Sequence, residues 1–67
     1  MTYSQAVNIC KKESKLYPSK WFFVLDEYGS GEDFEYCEQV ALETYFAGTR
    51  EDNILCCIVD GQIEEEY

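Results

Sequence analysis

Between Thr2 and Tyr17 apolar residues recur at Tyr3, Ala6, Val7, Cys10 and Tyr17, with Ile9 and Leu16 widening the stripe. That spacing of three and four predicts an amphipathic helix. Thr2 with Gln5 forms a capping-box pattern at its start, and Pro18 stops it. Lys11, Lys12 and Lys15 fall in the last turns, where cations complement the helix dipole. The pattern changes at Lys20. The stretch Lys20 to Tyr28 is dense in aromatic and branched residues and closes on Gly29-Ser30-Gly31, which predicts a strand ending in a turn. Its apolar run from Trp21 to Leu25 implies cover on both faces.

Asp33 to Cys37 alternates Asp, Phe, Glu, Tyr, Cys, as a strand returning across the glycine turn would. An earlier helix start competes with it, because Phe34, Cys37, Ala41 and Tyr45 also share one helical face. From Glu38 to Ala47 the spacing is helical, with Val40, Ala41, Leu42, Tyr45 and Phe46 apolar and Gly48 placed for a C-terminal cap. Ile54 to Val59 is a branched apolar run suited to a central strand. Asp60-Gly61 is a two-residue hairpin signal, since both positions of the favoured turn need positive φ. A simple hairpin sets Ile58 opposite Ile63 and Cys57 opposite Glu64. The terminal strand Gln62 to Tyr67 then carries Ile63, Glu65 and Tyr67 on one face and Glu64 and Glu66 on the other. A strand acidic on both faces belongs at a sheet edge. The expected fold is α+β over residues 1–67 as one domain, in the order α-β-β-α-β-β. A single antiparallel layer of three to four strands packs against two helices, both on one side. Trp21, Phe23, Leu25, Leu42, Phe46, Leu55 and Ile58 are the expected core.

Composition narrows the function. Sixty-seven residues with 46% hydrophobic and 16% aromatic side chains are too apolar for a disordered tail. A chain this short buries about 60% of its unfolded surface, which leaves little for a deep, water-excluded site. The net charge of −9 is unevenly divided. Residues 1–20 hold four lysines against Glu13, or +3, whereas residues 21–67 hold thirteen acids against Arg50, or −12. Solubility needs far less, a magnitude of roughly 2 to 8. A polyanionic face repels free nucleic acid and anionic membranes and attracts an electropositive partner.

The four cysteines, Cys10, Cys37, Cys56 and Cys57, include no C-x-x-C pair, and no histidine is present to complete the usual zinc sets. If Cys56 and Cys57 share a strand, their thiols leave opposite faces. The chain opens on a capped amphipathic segment and not on a signal peptide, so the thiols are expected reduced and buried, in a cytoplasmic protein. No apolar run reaches the roughly 18 residues of a transmembrane helix.

Catalysis is poorly served. There is no histidine base, and none of Ser4, Ser14, Ser19 and Ser30 lies in a G-x-S-x-G elbow. Asp26 to Cys37 places Asp26 and Gly31 at positions one and six of a calcium loop, but Tyr28 and Cys37 occupy positions that need oxygen ligands. Gly29-x-Gly31 is flanked by Asp26, Glu27, Glu32 and Asp33, which would repel a phosphate. No enzyme activity and no cofactor are expected.

The strongest constellation joins the acids to aromatics. Acids two apart on a strand stand roughly 6.6 Å apart, and B-DNA carries one charge per roughly 3.4 Å per strand. Rows of Asp26, Glu27, Glu32, Asp33 and Glu35, with Glu64, Glu65 and Glu66, can therefore enter a basic groove that normally follows phosphates. Tyr28 and Tyr36 would be the first anchors, with Phe34, Tyr45 and Tyr67 in support. The competing interpretation makes the acids a solvated face and the aromatics core.

In size and charge profile this histidine-free chain with its −12 segment resembles the small acidic inhibitors of bacteriophages and mobile elements, among them DNA-mimic anti-restriction and anti-CRISPR proteins. The resemblance implies a protein of the host-cell cytoplasm. It would bind a basic surface on a host nuclease or CRISPR effector subunit stoichiometrically and block its nucleic-acid site without chemistry. It would touch neither nucleic acid nor membrane itself, as a monomer or weak dimer. The basic first helix departs from a uniformly acidic mimic. One rival is a regulatory adaptor or antitoxin-like protein docking through an apolar edge of Ile63, Tyr67 and Tyr3. The other is a homodimer through the terminal strand, which Glu64, Glu65 and Glu66 oppose. Because the cysteines lie within apolar patterns and no ligand set is complete, thermal melts with and without chelator or reductant are expected to coincide. A large drop in either would mean that metal or disulfide holds the fold.

Overall fold

A computed structural model describes all 67 residues. Helix α1 (Tyr3–Leu16) begins as its sequence dictates: the Gln5 N–H donates to Thr2 Oγ1 at 3.2 Å and the Thr2 N–H donates to Gln5 Oε1 at 2.9 Å. Its inward stripe is narrower than the pattern suggests. Ala6, Val7, Cys10 and Ser14 are buried, while Leu16 is 71% exposed and Tyr17 lies outside the helix altogether. Four strands follow, β1 (Phe22–Leu25), β2 (Glu35–Glu38), β3 (Ile54–Val59) and β4 (Gln62–Glu66), with helix α2 (Gln39–Thr44) and a 3-10 turn (Glu51–Asn53) between β2 and β3. Residues 35–38 are thus strand, and the helix starts only after them. The sheet is wholly antiparallel in the order β2-β1-β3-β4, which makes β3 central and β4 an edge, as expected.

Pleating divides the sheet into two faces. Phe22, Val24, Cys56 and Ile58 pack with Ala6, Val7 and Cys10 of α1 into one cluster, flanked by half-buried Phe34, Tyr36 and Ile63. The alternate residues Leu25, Cys37 and Cys57 are also buried but stand outside that cluster. Helix α2, whose main contacts are with β2 and β1, contributes no side chain to the α1 cluster. Both faces of β1 and β3 therefore carry buried apolar side chains, one set under α1 and one outside its cluster. Trp21 precedes β1 and is 45% exposed, so it is not core. Of the other expected core residues Leu25 and Ile58 are fully buried, whereas Phe23, Leu42, Phe46 and Leu55 are only half-buried. α2 is also shorter than its pattern. The Thr44 hydroxyl turns back to donate to the Val40 carbonyl at 2.9 Å, and Gly48 does not adopt the left-handed conformation of a cap.

Two bulges set the register. Val24 pairs with Cys56 but Leu25 with Ile54, so Leu55 is the extra residue in β3. Ile58 pairs with Ile63 but Cys57 with Glu65, so Glu64 is the extra residue in β4. The Cys57–Glu64 pairing of a simple hairpin is therefore wrong by one. Ile63 and Glu66 share the α1 face while Glu65 joins the other, because a bulge inverts the alternation beyond it.

The β3–β4 turn has positive φ at both Asp60 (52°) and Gly61 (81°), as its sequence requires. It is clamped to α1 by side chains. The Gly61 N–H donates to the buried Ser14 Oγ at 2.7 Å, Ser14 donates to the Lys11 carbonyl at 3.0 Å, and the Ser19 N–H donates to Asp60 Oδ1 at 2.9 Å. A Cβ on Gly61 would lie 2.5 Å from Lys15 Cε, so the aliphatic stem of Lys15 lies directly over the turn.

Only 12 residues are buried, so single deletions weigh heavily. Ile58→Ala is expected to cost roughly 2 to 5 kcal/mol and Phe46→Ala less, since Phe46 is only half-buried. Ser14→Ala is expected to cost about 1 to 3 kcal/mol by orphaning the Gly61 N–H. Urea denaturation checks all three; equal costs at Ile58 and Phe46 would contradict the difference in their burial.

Candidate acidic interface

Antiparallel order decides where the acids meet. The start of β2, the end of β1, the start of β3 and the end of β4 lie together at one end of the sheet, as the pairs Leu25–Glu35, Leu25–Ile54 and Cys56–Glu66 record. Glu27, Glu32 and Asp33 in the β1–β2 connection, Glu35, and Glu65 and Glu66 all gather there. So do Glu51 and Asp52 of the 3-10 turn, which pattern reading had not singled out. α1 runs away from this end: Tyr3 stacks edge-on against Phe34 with ring centroids 5.6 Å apart, and Lys15 covers Gly61 at the far turn. The molecule is thus electrically polarised, acidic at one end and lysine-bearing at the other.

Few of these charges are neutralised. Of the thirteen acids beyond residue 20, three are ion-paired: Asp33 with the Met1 amino group at 3.0 Å, Glu38 with Lys20 at 3.0 Å and Asp52 with Arg50 at 3.9 Å. One more, Asp26, is buried, which leaves nine without a cationic partner. Lys11, Lys12 and Lys15 form no ion pair and so do not balance the acidic half by contact.

The site residues expected from sequence occupy different environments. Tyr28 is 75% exposed, and Glu32, Asp33, Glu64, Glu65 and Glu66 are exposed, with Glu64 on its bulge. Glu27 and Glu35 are half-buried. Tyr36 is not a free-standing anchor, because its ring packs against the α1 cluster. Asp26 is not part of an exposed charge row either, being 8% exposed. Its Oδ2 accepts the Gly31 N–H at 2.8 Å and its carbonyl accepts the Gly29 N–H at 3.1 Å, so it organises the glycine turn.

Two hollows flank Tyr67, whose N–H donates to the Leu55 carbonyl at 2.9 Å. One, of about 530 Å³, is walled by Phe23, Ile54 and Tyr67 with Glu51 and Asp52. The other, of about 460 Å³, is lined by Tyr3, Asp26, Phe34, Leu55, Glu66 and Tyr67. No spacing rule joins Tyr3 to Phe34 or Glu66, since only the packing of α1 on the sheet brings them together. A comparison with known proteins finds no matching family model, no matching curated protein and no matching solved structure.

All four cysteines are buried and free, with Cys56 and Cys57 on opposite faces. Burial pushes the Cys10 thiol up to about 12 and Cys37 and Cys57 to about 11; burial also raises Cys56, against a lowering contribution from the Tyr3 hydroxyl, which lies 3.8 Å from its sulfur. These thiols stay protonated in the folded chain while those of the unfolded chain ionise. Their stabilising contribution is therefore complete below the ordinary thiol range and declines as pH rises from about 9 toward 11 to 12. Denaturant midpoints should fall across that window, and an aromatic disulfide reagent at neutral pH should label the thiols only as fast as the chain opens. Rapid labelling of folded protein would contradict the burial.

Proposed function

We propose that this chain is a non-catalytic binding protein whose acidic end occupies an electropositive site on a nucleic-acid-binding protein, as a stoichiometric inhibitor of the phage type would. The observation that carries this reading is the convergence of separated acidic segments at one end of the sheet, with six of the eight acids gathered there left without an ion pair. Folding a chain around unneutralised like charge costs stability, and a cationic partner recovers that cost on binding. Exposed Tyr28 and Tyr67 stand among the acids and supply the aromatic contact area that holds an interface once charge has steered it together. Docking through an apolar edge is less well served, because Ile63 is packed against the core.

The test begins with capture from host lysate at low and high salt, followed by identification of the bound protein. Reversal of Glu32 and Glu35 together, and of Glu64 and Glu65 together, is expected to slow association on the order of tenfold at low salt, with the fold intact. The wild-type advantage should fade as salt rises and the screening length falls below about 8 to 10 Å. Tyr28→Ala should instead speed dissociation. The partner should lose nucleic acid in competition with this protein. If both double reversals leave affinity and its salt dependence unchanged, the acidity serves solubility alone.

A further inference from the structure

Helix α1 lies on the face of the sheet that carries Phe22, Val24, Cys56 and Ile58. Helix α2 packs chiefly against β2 and β1 and makes no comparable contact with β3 or β4. The other face of β3 and β4 is thus left without a packed helix. On that face the register aligns Phe23 with Cys57, Leu25 with Ile54 and Cys57 with Glu65. Phe23 and Ile54 are only half-buried, and Tyr67 is 64% exposed. These three side chains wall the hollow of about 530 Å³, and Glu51 and Asp52 complete its lining. That volume falls within the roughly 300 to 1,000 Å³ of clefts that take a ligand or a partner side chain. No lysine or arginine lines the hollow. Glu51 forms no ion pair, and the Arg50–Asp52 pair, at 3.9 Å between side chains 81% and 87% exposed, is weak.

We infer that this hollow receives a large apolar side chain flanked by lysine or arginine, on a segment of the electropositive partner. The inference rests on the proposed function and adds its anchoring contact. Charge complementarity selects the occupant. Any chain that covers Phe23, Ile54 and Tyr67 also takes water from Glu51 and Asp52, and a neutral or acidic cover would leave those carboxylates uncompensated. Basic residues on either side of the inserted group supply the compensation, while the inserted group removes the apolar walls from water. An apolar anchor seated inside a charged rim is the arrangement in which a few side chains carry most of an interface's energy. The hollow is then the point at which steering by diffuse charge becomes a specific contact.

The experiment follows the full chain by NMR at low salt as it is titrated with the blocked peptide acetyl-Lys-Arg-Phe-Arg-Lys-amide. Saturable shifts centred on Phe23, Ile54 and Tyr67 are expected. The same peptide with alanine at its centre should bind roughly tenfold more weakly, and one with glutamates in place of its basic residues should not bind. Tyr67→Ala is expected to weaken the basic peptide roughly tenfold. Glu51→Gln with Asp52→Asn should weaken it roughly fivefold, an effect that fades as salt rises. All three positions are exposed, so both variants keep the fold. No saturable binding, shifts spread evenly over the acidic end, equal binding of the alanine-centred peptide, or unchanged affinity in both variants would each overturn the hollow. So would the same shifts on concentrating the chain alone, since a second copy would then be its occupant. The two readings fail separately. If the peptide saturates the hollow while reversal at Glu32, Glu35, Glu64 and Glu65 leaves partner binding untouched, the hollow stands and the acidic-surface reading falls. If those reversals weaken the partner while Tyr67→Ala and the Glu51, Asp52 variant bind it as wild type does, the hollow alone is removed.

Discussion

Everything in this molecule is oriented by the seating of α1 on the sheet, and the hydrogen bond from the Gly61 N–H to the buried Ser14 hydroxyl fixes that seating. The helix can approach because the residues it turns inward, Ala6, Val7, Cys10 and Ser14, are small. At one end the helix is tied to the β3–β4 turn; at the other, Tyr3 meets Phe34 and the Phe34 N–H donates to the Met1 carbonyl at 2.9 Å. Sliding the helix along the sheet would break both attachments and open the cluster around Cys10 and Cys56.

That seating also organises the electrostatics. It carries the lysines of the last helical turns away from the acidic strand ends and leaves the helix N-terminus, the positive end of its dipole, beside Asp33 and Glu66. The dipole and the Met1–Asp33 ion pair relieve part of the repulsion, both near the surface, where such terms are small. The remainder is tolerated by a thin core in which four of the ten buried apolar side chains are cysteines. Thiols suit the position: they are compact, weakly polar and, with raised pKa values, uncharged.

The bulge at Glu64 links stability to surface chemistry. Without it Ile63 and Glu65 would share the core face. With it Ile63 packs inward, Glu65 turns to the face away from α1 and Glu66 arrives beside Tyr3. The bulge also gives the β4 edge an irregular ladder flanked by Glu64, Glu65 and Glu66. One inserted residue thus keeps Ile63 in the core while it brings Glu66 to the face of α1.

The order α-β-β-α-β-β, the capping box at Thr2, the Asp60-Gly61 turn, the central position of Ile54–Val59 and the charge division were all legible in the sequence, because each depends on local periodicity, turn chemistry or simple counting. The register beyond Ile63, the burial of Asp26, the exposure of Trp21 and the inward packing of Tyr36 were not, because each depends on which face meets which neighbour. A single bulge inverts that pattern without changing the composition of the strand. The sequence determined that the chain would be strongly and unevenly acidic. Only the antiparallel pairing of four strands, with α1 clamped at Ser14, decided that acids from three separated segments would meet at one end, since that convergence depends on contacts between residues far apart in the chain.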